Sequence, residues 1–148
     1  MNRRSLLALA GSLAVTLPLP AWATPQAYVP GLAEAAMERG ERIVLMFSAD
    51  WCSTCRRQER IIDALRAADP RIDAELTVIR VDWDQYGNGE LSRRFAVPRR
   101  STLIALRGER ELDRIVAGTS EEAIRALFDA ASGWRVDAPS RPRRTPCP

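Results

Sequence analysis

Cys52 and Cys55 stand three apart in the segment Phe47-Ser48-Ala49-Asp50-Trp51-Cys52-Ser53-Thr54-Cys55. An apolar strand-like run precedes them and a helix-like run follows, so the pair falls where a strand hands over to a helix, a context that marks a redox-active dithiol. There Cys52 meets the unpaired N–H groups and the positive end of the helix dipole, both of which favour a thiolate. Cys55, one turn further in, is close enough to form a disulfide and more buried. Cys52 is the attacking sulfur and Cys55 resolves the mixed disulfide. The cofactor is the Cys52–Cys55 disulfide itself, and no other is expected.

Other uses of the pair are weaker. A zinc site needs two further ligands, yet the chain has no His and one other cysteine, Cys147. A purely structural disulfide between residues three apart closes too small a loop to stabilise much. A different class of function is a binding module that holds a soft metal such as Cu(I) on the two thiolates, without Met or further Cys nearby to complete the set. A third is an interaction domain with a vestigial site. Without His, Ser–His and Cys–His catalysis and a histidine-ligated haem are excluded. Every basic residue is Arg, so there is no Schiff-base lysine.

The elements that must position the pair read as α/β. A short helix is expected over 31–39, after Pro30 and stopped by Gly40. Residues 43–47 form an unbroken apolar run, the pattern of a strand buried on both faces. A helix over 56–68 carries an apolar stripe of Ile61, Ile62, Leu65 and Ala68 and ends before Pro70. A strand over 76–81, a loop over 82–89 and a short helix over 90–95 follow. Residues 102–106 and 111–116 pair as a hairpin around Arg107-Gly108-Glu109-Arg110. A capping box of Thr119 with Glu122 opens a last helix, with Ile124, Leu127, Phe128 and Ala131 inward and Gly133 as its stop. This order suits a central mixed sheet of about four strands flanked by helices, with crossover helices between parallel strands and an antiparallel hairpin at one edge.

The segment from Phe47 to Cys55 resembles the active site of the thioredoxin superfamily. The run Ala49-Asp50-Trp51-Cys52, behind a Gly-ended helix and an apolar strand, resembles more closely the C-terminal periplasmic domain of DsbD-type electron carriers. The resemblance covers residues 31–131 and implies a thioredoxin-like fold and a thiol–disulfide oxidoreductase acting on protein disulfides. The DsbD-type likeness alone implies reduction of those disulfides with electrons from a membrane thiol carrier. Trp51, before the first cysteine, is assigned to substrate binding with Arg100 and Ser101.

Two positions depart from the family pattern. The buried Asp expected six residues before the first cysteine is Met46 here. Glu59, one turn after Cys55, is the nearest substitute as proton acceptor or donor, and it matches an acid at that spacing in the DsbD-type domain. The alternative for Glu59 is a solvated ion pair with Arg56. Arg56 and Arg57 are candidates to hold the Cys52 thiolate, or simply solvated charges. The cis-proline that family members carry before the third strand aligns with Ser101, while Pro98 lies three residues too early. A cis bond before Ser costs about 2.5–4 kcal/mol, so a trans Arg100–Ser101 bond is expected, or strain if it is cis. Ser101 can then donate toward a cysteine sulfur, and Arg99 and Arg100 flank the site and favour an acidic partner. The missing proline is also what could open space for a metal at the sulfurs.

Residues 1–23 read as an export signal: Arg3 and Arg4, an apolar run from Leu6 to Leu17, and Ala21-Trp22-Ala23 before a cleavage after Ala23. The apolar run is too short to span a bilayer. The expected domains are the signal at 1–23, the folded unit at 24–134 and a disordered Pro/Arg-rich tail at 135–148. The mature protein is expected in the periplasm, or otherwise exported, by a general secretory or twin-arginine route. Six of the 22 arginines lie in these terminal segments, and the rest are outnumbered by the 19 acidic residues, which leaves no nucleic-acid footprint. A monomer is expected. Cys147 in the tail is an idle thiol, an intermolecular disulfide partner or a transient cap on Cys52.

Overall fold

The computed structural model describes residues 25–133. Residues 1–23, read as an export signal, the segment 135–148, read as a tail, and Cys147 within it lie outside the described residues. Eleven elements follow one another: β1 (Gln26–Ala27), α1 (Leu32–Glu38), β2 (Arg42–Ser48), α2 (Ser53–Ala68), α3 (Arg71–Glu75), β3 (Thr77–Asp82), α4 (Trp83–Tyr86), α5 (Glu90–Arg94), β4 (Thr102–Arg107), β5 (Arg110–Val116) and α6 (Glu121–Ser132). The strands form one mixed sheet in the order β1-β3-β2-β4-β5. The strands β1, β3 and β2 run parallel, and β4 and β5 close the other edge antiparallel.

The apolar run at the centre behaves as its composition dictates. Side chains alternate across a strand, so Ile43, Leu45 and Phe47 enter one core with Ala33, Met37, Ile79, Leu91 and Ile104. Val44 and Met46 enter the other with Ile62, Leu65, Leu103, Ile124, Leu127 and Phe128. Each fully buried aliphatic or aromatic side chain contributes roughly 1.5–3 kcal/mol, and helices on both faces supply the cover.

Several boundaries differ from the sequence reading, each for a local reason. The helix expected from Arg56 begins at Ser53, because the Cys52 sulfur serves as its N-cap. Its buried residues are Cys55, Gln58, Ile62, Leu65 and Arg66, whereas Ala68 faces solvent and Ile61 is half-buried. A fifth strand, β1, is two residues long, too short to show alternation. Pro70 ends α2 and also starts the single-turn α3, a use that its fixed φ permits. The expected loop at 82–89 holds a further turn, α4, because the Asp82 carboxylate accepts from the N–H groups of Asp84 and Gln85. The Thr119–Glu122 capping box does not form. The last helix begins one residue later, with Ser120 Oγ accepting from the Ala123 N–H. Gly133, at φ +70°, ends that helix in the left-handed conformation a glycine adopts freely.

Register decides what meets at the business end of the sheet. Ser48, last in β2, lies beside Asp82, last in β3. Phe47 lies beside Thr102, first in β4, and Thr102 beside Val116, last in β5. The residues just outside these ends therefore converge: the start of α2 with the two cysteines, Ser101, and the turn at Ala117-Gly118.

Candidate active site

Cys52 occupies the N-cap of α2 with extended backbone, and its Sγ accepts from the Cys55 N–H at 3.2 Å. Both cysteines are free thiols, 5 % and 1 % exposed. Ser101 is fully buried, and its Oγ lies 3.1 Å from the sulfur of Cys52 and 3.1 Å from that of Cys55. A hydroxyl has one proton and spare lone pairs, so it donates to a Cys52 thiolate while accepting from the Cys55 S–H. Where the proline is missing, the Ser101 hydroxyl stands against both sulfurs. Among the described residues, no group of three or more His, Cys, Asp or Glu is placed to hold a metal ion.

Burial is the largest influence on Cys52 and opposes its ionisation. The neighbouring Cys55 thiol, the Ser101 hydroxyl, the Cys55 backbone N–H and the Arg100 side chain together outweigh it and bring the thiol down from 9.0 to about 7. Near-neutral pH is where a thiol combines a sizeable thiolate fraction with good nucleophilicity.

No peptide bond among the described residues is cis, so the Arg100–Ser101 bond is trans. The strain resides instead in φ, which is +61° at Ser101. A left-handed conformation costs a residue with a Cβ roughly 1–2 kcal/mol. The surroundings hold it there: the Ser101 N–H donates to Phe47 O at 2.7 Å, and its carbonyl accepts from the Ala117 N–H at 2.8 Å and from Gln58 Nε2 at 3.1 Å.

The arginine that supports the Cys52 thiolate is Arg100, not Arg56 or Arg57. Arg56 donates to the Asp50 carbonyl at 2.7 Å, and both residues are exposed. The Arg100 guanidinium carbon sits 4.2 Å from the centroid of the Trp51 ring, a cation–π stack, and its Nε is buried without a hydrogen-bond partner. Trp51 is 57 % exposed, and its Nε1 donates to Asp84 Oδ2 at 2.9 Å. An aromatic ring thus stands at the rim, pinned on one side by a carboxylate and covered on the other by a cation. Arg99 is exposed, and its carbonyl accepts from Thr102 Oγ1 at 2.7 Å.

Glu59 bonds neither to Arg56 nor to a cysteine. Its Oε1 accepts from Ser48 Oγ at 2.5 Å and from Arg80 Nε at 3.1 Å, and Arg80 also donates to Asp50 Oδ1 at 2.6 Å. Burial opposes the charge of Arg80, but Glu59 and Asp50 outweigh it and hold the guanidinium more firmly protonated than a free one. Met46 lies directly across from Arg80 in the β2–β3 register, inside the apolar core. A carboxylate therefore stands on the helix, while the strand position paired with Arg80 is apolar.

Sequence reasoning missed Gln58, Ser48, Arg80 and Asp84. Of these only Gln58 had a signal: it lies three residues after Cys55 and four before Ile62, a polar residue on the buried face of α2. The others reach the site through strand register and loop geometry.

The thioredoxin family model matches residues 31–130. Thioredoxin H5 of rice (Oryza sativa subsp. japonica) is 30 % identical over 89 residues, which are 60 % of this chain and 62 % of the rice protein, just under two thirds of it. A thioredoxin H-type of Brassica campestris is 32 % identical over 89 residues, covering 60 % of this chain and 68 % of its own. Among solved structures, Trxlp from Edwardsiella tarda superimposes with a TM-score of 0.61 and 30 % identity, over 70 % of this chain and 96 % of Trxlp. The oxidised thioredoxin of Plasmodium falciparum gives 0.60 over 74 % of this chain and 99 % of its own; at 15 % identity it speaks for the fold alone.

Proposed function

The chain belongs to the thioredoxin family, and on that premise we propose that it is an exported thiol–disulfide oxidoreductase that reduces disulfides in partner proteins. The observation that carries this reading is the Cys52 sulfur at the N-cap of α2, brought down to about 7 and bridged to Cys55 through Ser101 Oγ. The Cys52 thiolate attacks one sulfur of a client disulfide, a Cys52–client bond forms, and the other client sulfur leaves as a thiolate. Cys55 gives up its proton and attacks Cys52, the mixed disulfide breaks, and the client leaves fully reduced while Cys52–Cys55 is oxidised. The two electrons lost by the dithiol are those gained by the client. A donor dithiol restores the reduced state by the reverse exchange.

Glu59 is proposed as the group that takes up the Cys55 proton, on the strength of its place one turn after Cys55 and its anchoring by Ser48 and Arg80. Trp51, Arg100 and Ser101 are proposed as the client-binding rim, with the arginine favouring an acidic client segment. Export rests on the composition of residues 1–23, and the reducing direction and a membrane thiol carrier as donor rest on the DsbD-type likeness of the motif.

Insulin reduction tests the reading. Wild type is expected to reduce insulin with dithiothreitol as donor, and Cys52→Ser to be inactive. Cys55→Ser is expected to lose turnover and to accumulate mixed disulfides with clients. A wild-type protein inert toward insulin and every other disulfide offered refutes the enzyme.

A further inference from the structure

Gln58 presents a problem that packing alone does not explain. It is 2 % exposed on the face of α2 that otherwise buries Cys55, Ile62 and Leu65. A buried amide is unfavourable there unless its polar atoms are matched. Both N–H bonds of its side chain are used: Nε2 donates to Ser101 O at 3.1 Å and to Gly118 O at 2.8 Å. The two acceptors lie in different loops, one before β4 and one after β5. Each loop is held in an unfavoured conformation, with φ +61° at Ser101 and +56° at Ala117. The second loop is also crowded, since a Cβ at Gly118 would come 2.7 Å from Ile115 Cγ2. The loops are joined to each other by the Ala117 N–H on the Ser101 carbonyl at 2.8 Å. Two strained loops are therefore tied by one amide to the helix that carries both cysteines.

We propose that Gln58 is a positioning residue that cross-braces the Ser101 and Gly118 loops onto α2, and so holds the Ser101 hydroxyl between the two sulfurs and fixes the rim that receives a client. Its action on the sulfurs is independent of what the client is; its action on the rim rests on the disulfide-exchange reading above. Ser101 has no ring to stiffen its own backbone, and its hydroxyl sits between the sulfurs only while the left-handed φ is maintained. The Gln58 amide adds to the constraint that Phe47 O and the Ala117 N–H place on Ser101, and it ties both loops to α2.

Gln58→Met keeps the length and removes both donors. The expected result is a protein that still melts cooperatively but whose Cys52 midpoint, followed by thiolate ultraviolet absorbance, rises by about one pH unit. The KM for insulin is expected to rise several-fold. In a Ser101→Ala background the same substitution should add no further shift to the Cys52 midpoint, because its effect passes through the hydroxyl. A folded Gln58→Met with an unchanged midpoint overturns the proposal, and so does a shift that persists undiminished in the Ser101→Ala background. Should Gln58→Met not fold, the wild-type protein still decides by NMR. The Gln58 side-chain amide protons must exchange slowly and move with the Cys52 midpoint, and resonances that ignore that titration refute the brace. A wild type inert toward insulin would defeat the proposed function while leaving these titrations standing.

Discussion

Ser101→Ala removes a single hydroxyl from between the two sulfurs and leaves a residue that suffers the same backbone strain at φ +61°. A hydrogen bond to a charged group is worth roughly 1.5–3 kcal/mol, and one pKa unit corresponds to about 1.36 kcal/mol. The Cys55 N–H and Arg100 continue to support the thiolate, so the lower end of that range applies. The Cys52 midpoint should move up by about one unit, from about 7 to about 8. The redox consequence depends on pH, because only the ionised dithiol loses stabilisation. Linkage puts the change at about 8 mV near pH 7, where wild-type Cys52 is half ionised, and about 30 mV near pH 9, above both midpoints. The sign is toward a lower, more reducing potential, since the reduced form is the one destabilised. Thiolate absorbance gives the midpoint, and equilibration with a dithiothreitol couple, read by Trp51 fluorescence, gives the potential. An unchanged midpoint in a folded variant refutes the bridging role of the hydroxyl. A potential offset that is equal at pH 6 and pH 9 refutes its selectivity for the thiolate.

Other perturbations separate the remaining parts of the site. Arg100→Met should raise the Cys52 midpoint by removing one of the groups that lower it, and should change Trp51 emission by removing the stacked cation; a midpoint equal to that of wild type sinks the Arg100 assignment. Glu59→Gln should slow the resolving step several-fold, visible as a longer-lived mixed disulfide in rapid-quench experiments, while stability falls by no more than about 1 kcal/mol because the pair it forms with Arg80 is part-exposed. Unchanged kinetics would reduce Glu59 to a structural anchor. The reduced protein should gain stability as pH rises. Its Cys52 is depressed to about 7 in the fold and returns to 9.0 on unfolding, so the contribution is full above the unfolded value and lost as pH falls through about 7. Cys52→Ser should abolish that slope in denaturant titrations.

The features legible in the sequence are those fixed by neighbours along the chain. The apolar run of β2 could satisfy its side chains only as a strand covered on both faces, and the periodic residues Ile124, Leu127, Phe128 and Ala131 only as the buried face of a helix. The cysteine spacing needed one helical turn, so the placement of Cys52 at the start of a helix with Cys55 one turn in followed from local geometry. The two-residue β1 and the short α3 and α4 carried no period to read, whereas α5, as short as α3, was expected from the sequence. The apolar stripe placed the start of α2 at Arg56, although the dithiol geometry already required Cys52 at the helix N-terminus, where it caps the helix. The departures from the family pattern at Met46 and Ser101 were visible as residue types. What stands in for the missing groups was decided by contacts between residues far apart in the chain. Arg80 arrives beside Glu59 through the β2–β3 register, and Arg100 comes to stack on Trp51 through the loop that opens β4. Ser101 meets both sulfurs because Gln58, Ala117 and Phe47 together hold its backbone where an isolated chain would not go. Those are energies of packing and hydrogen bonding between separate elements, and they exist only once the sheet has brought its strand ends together.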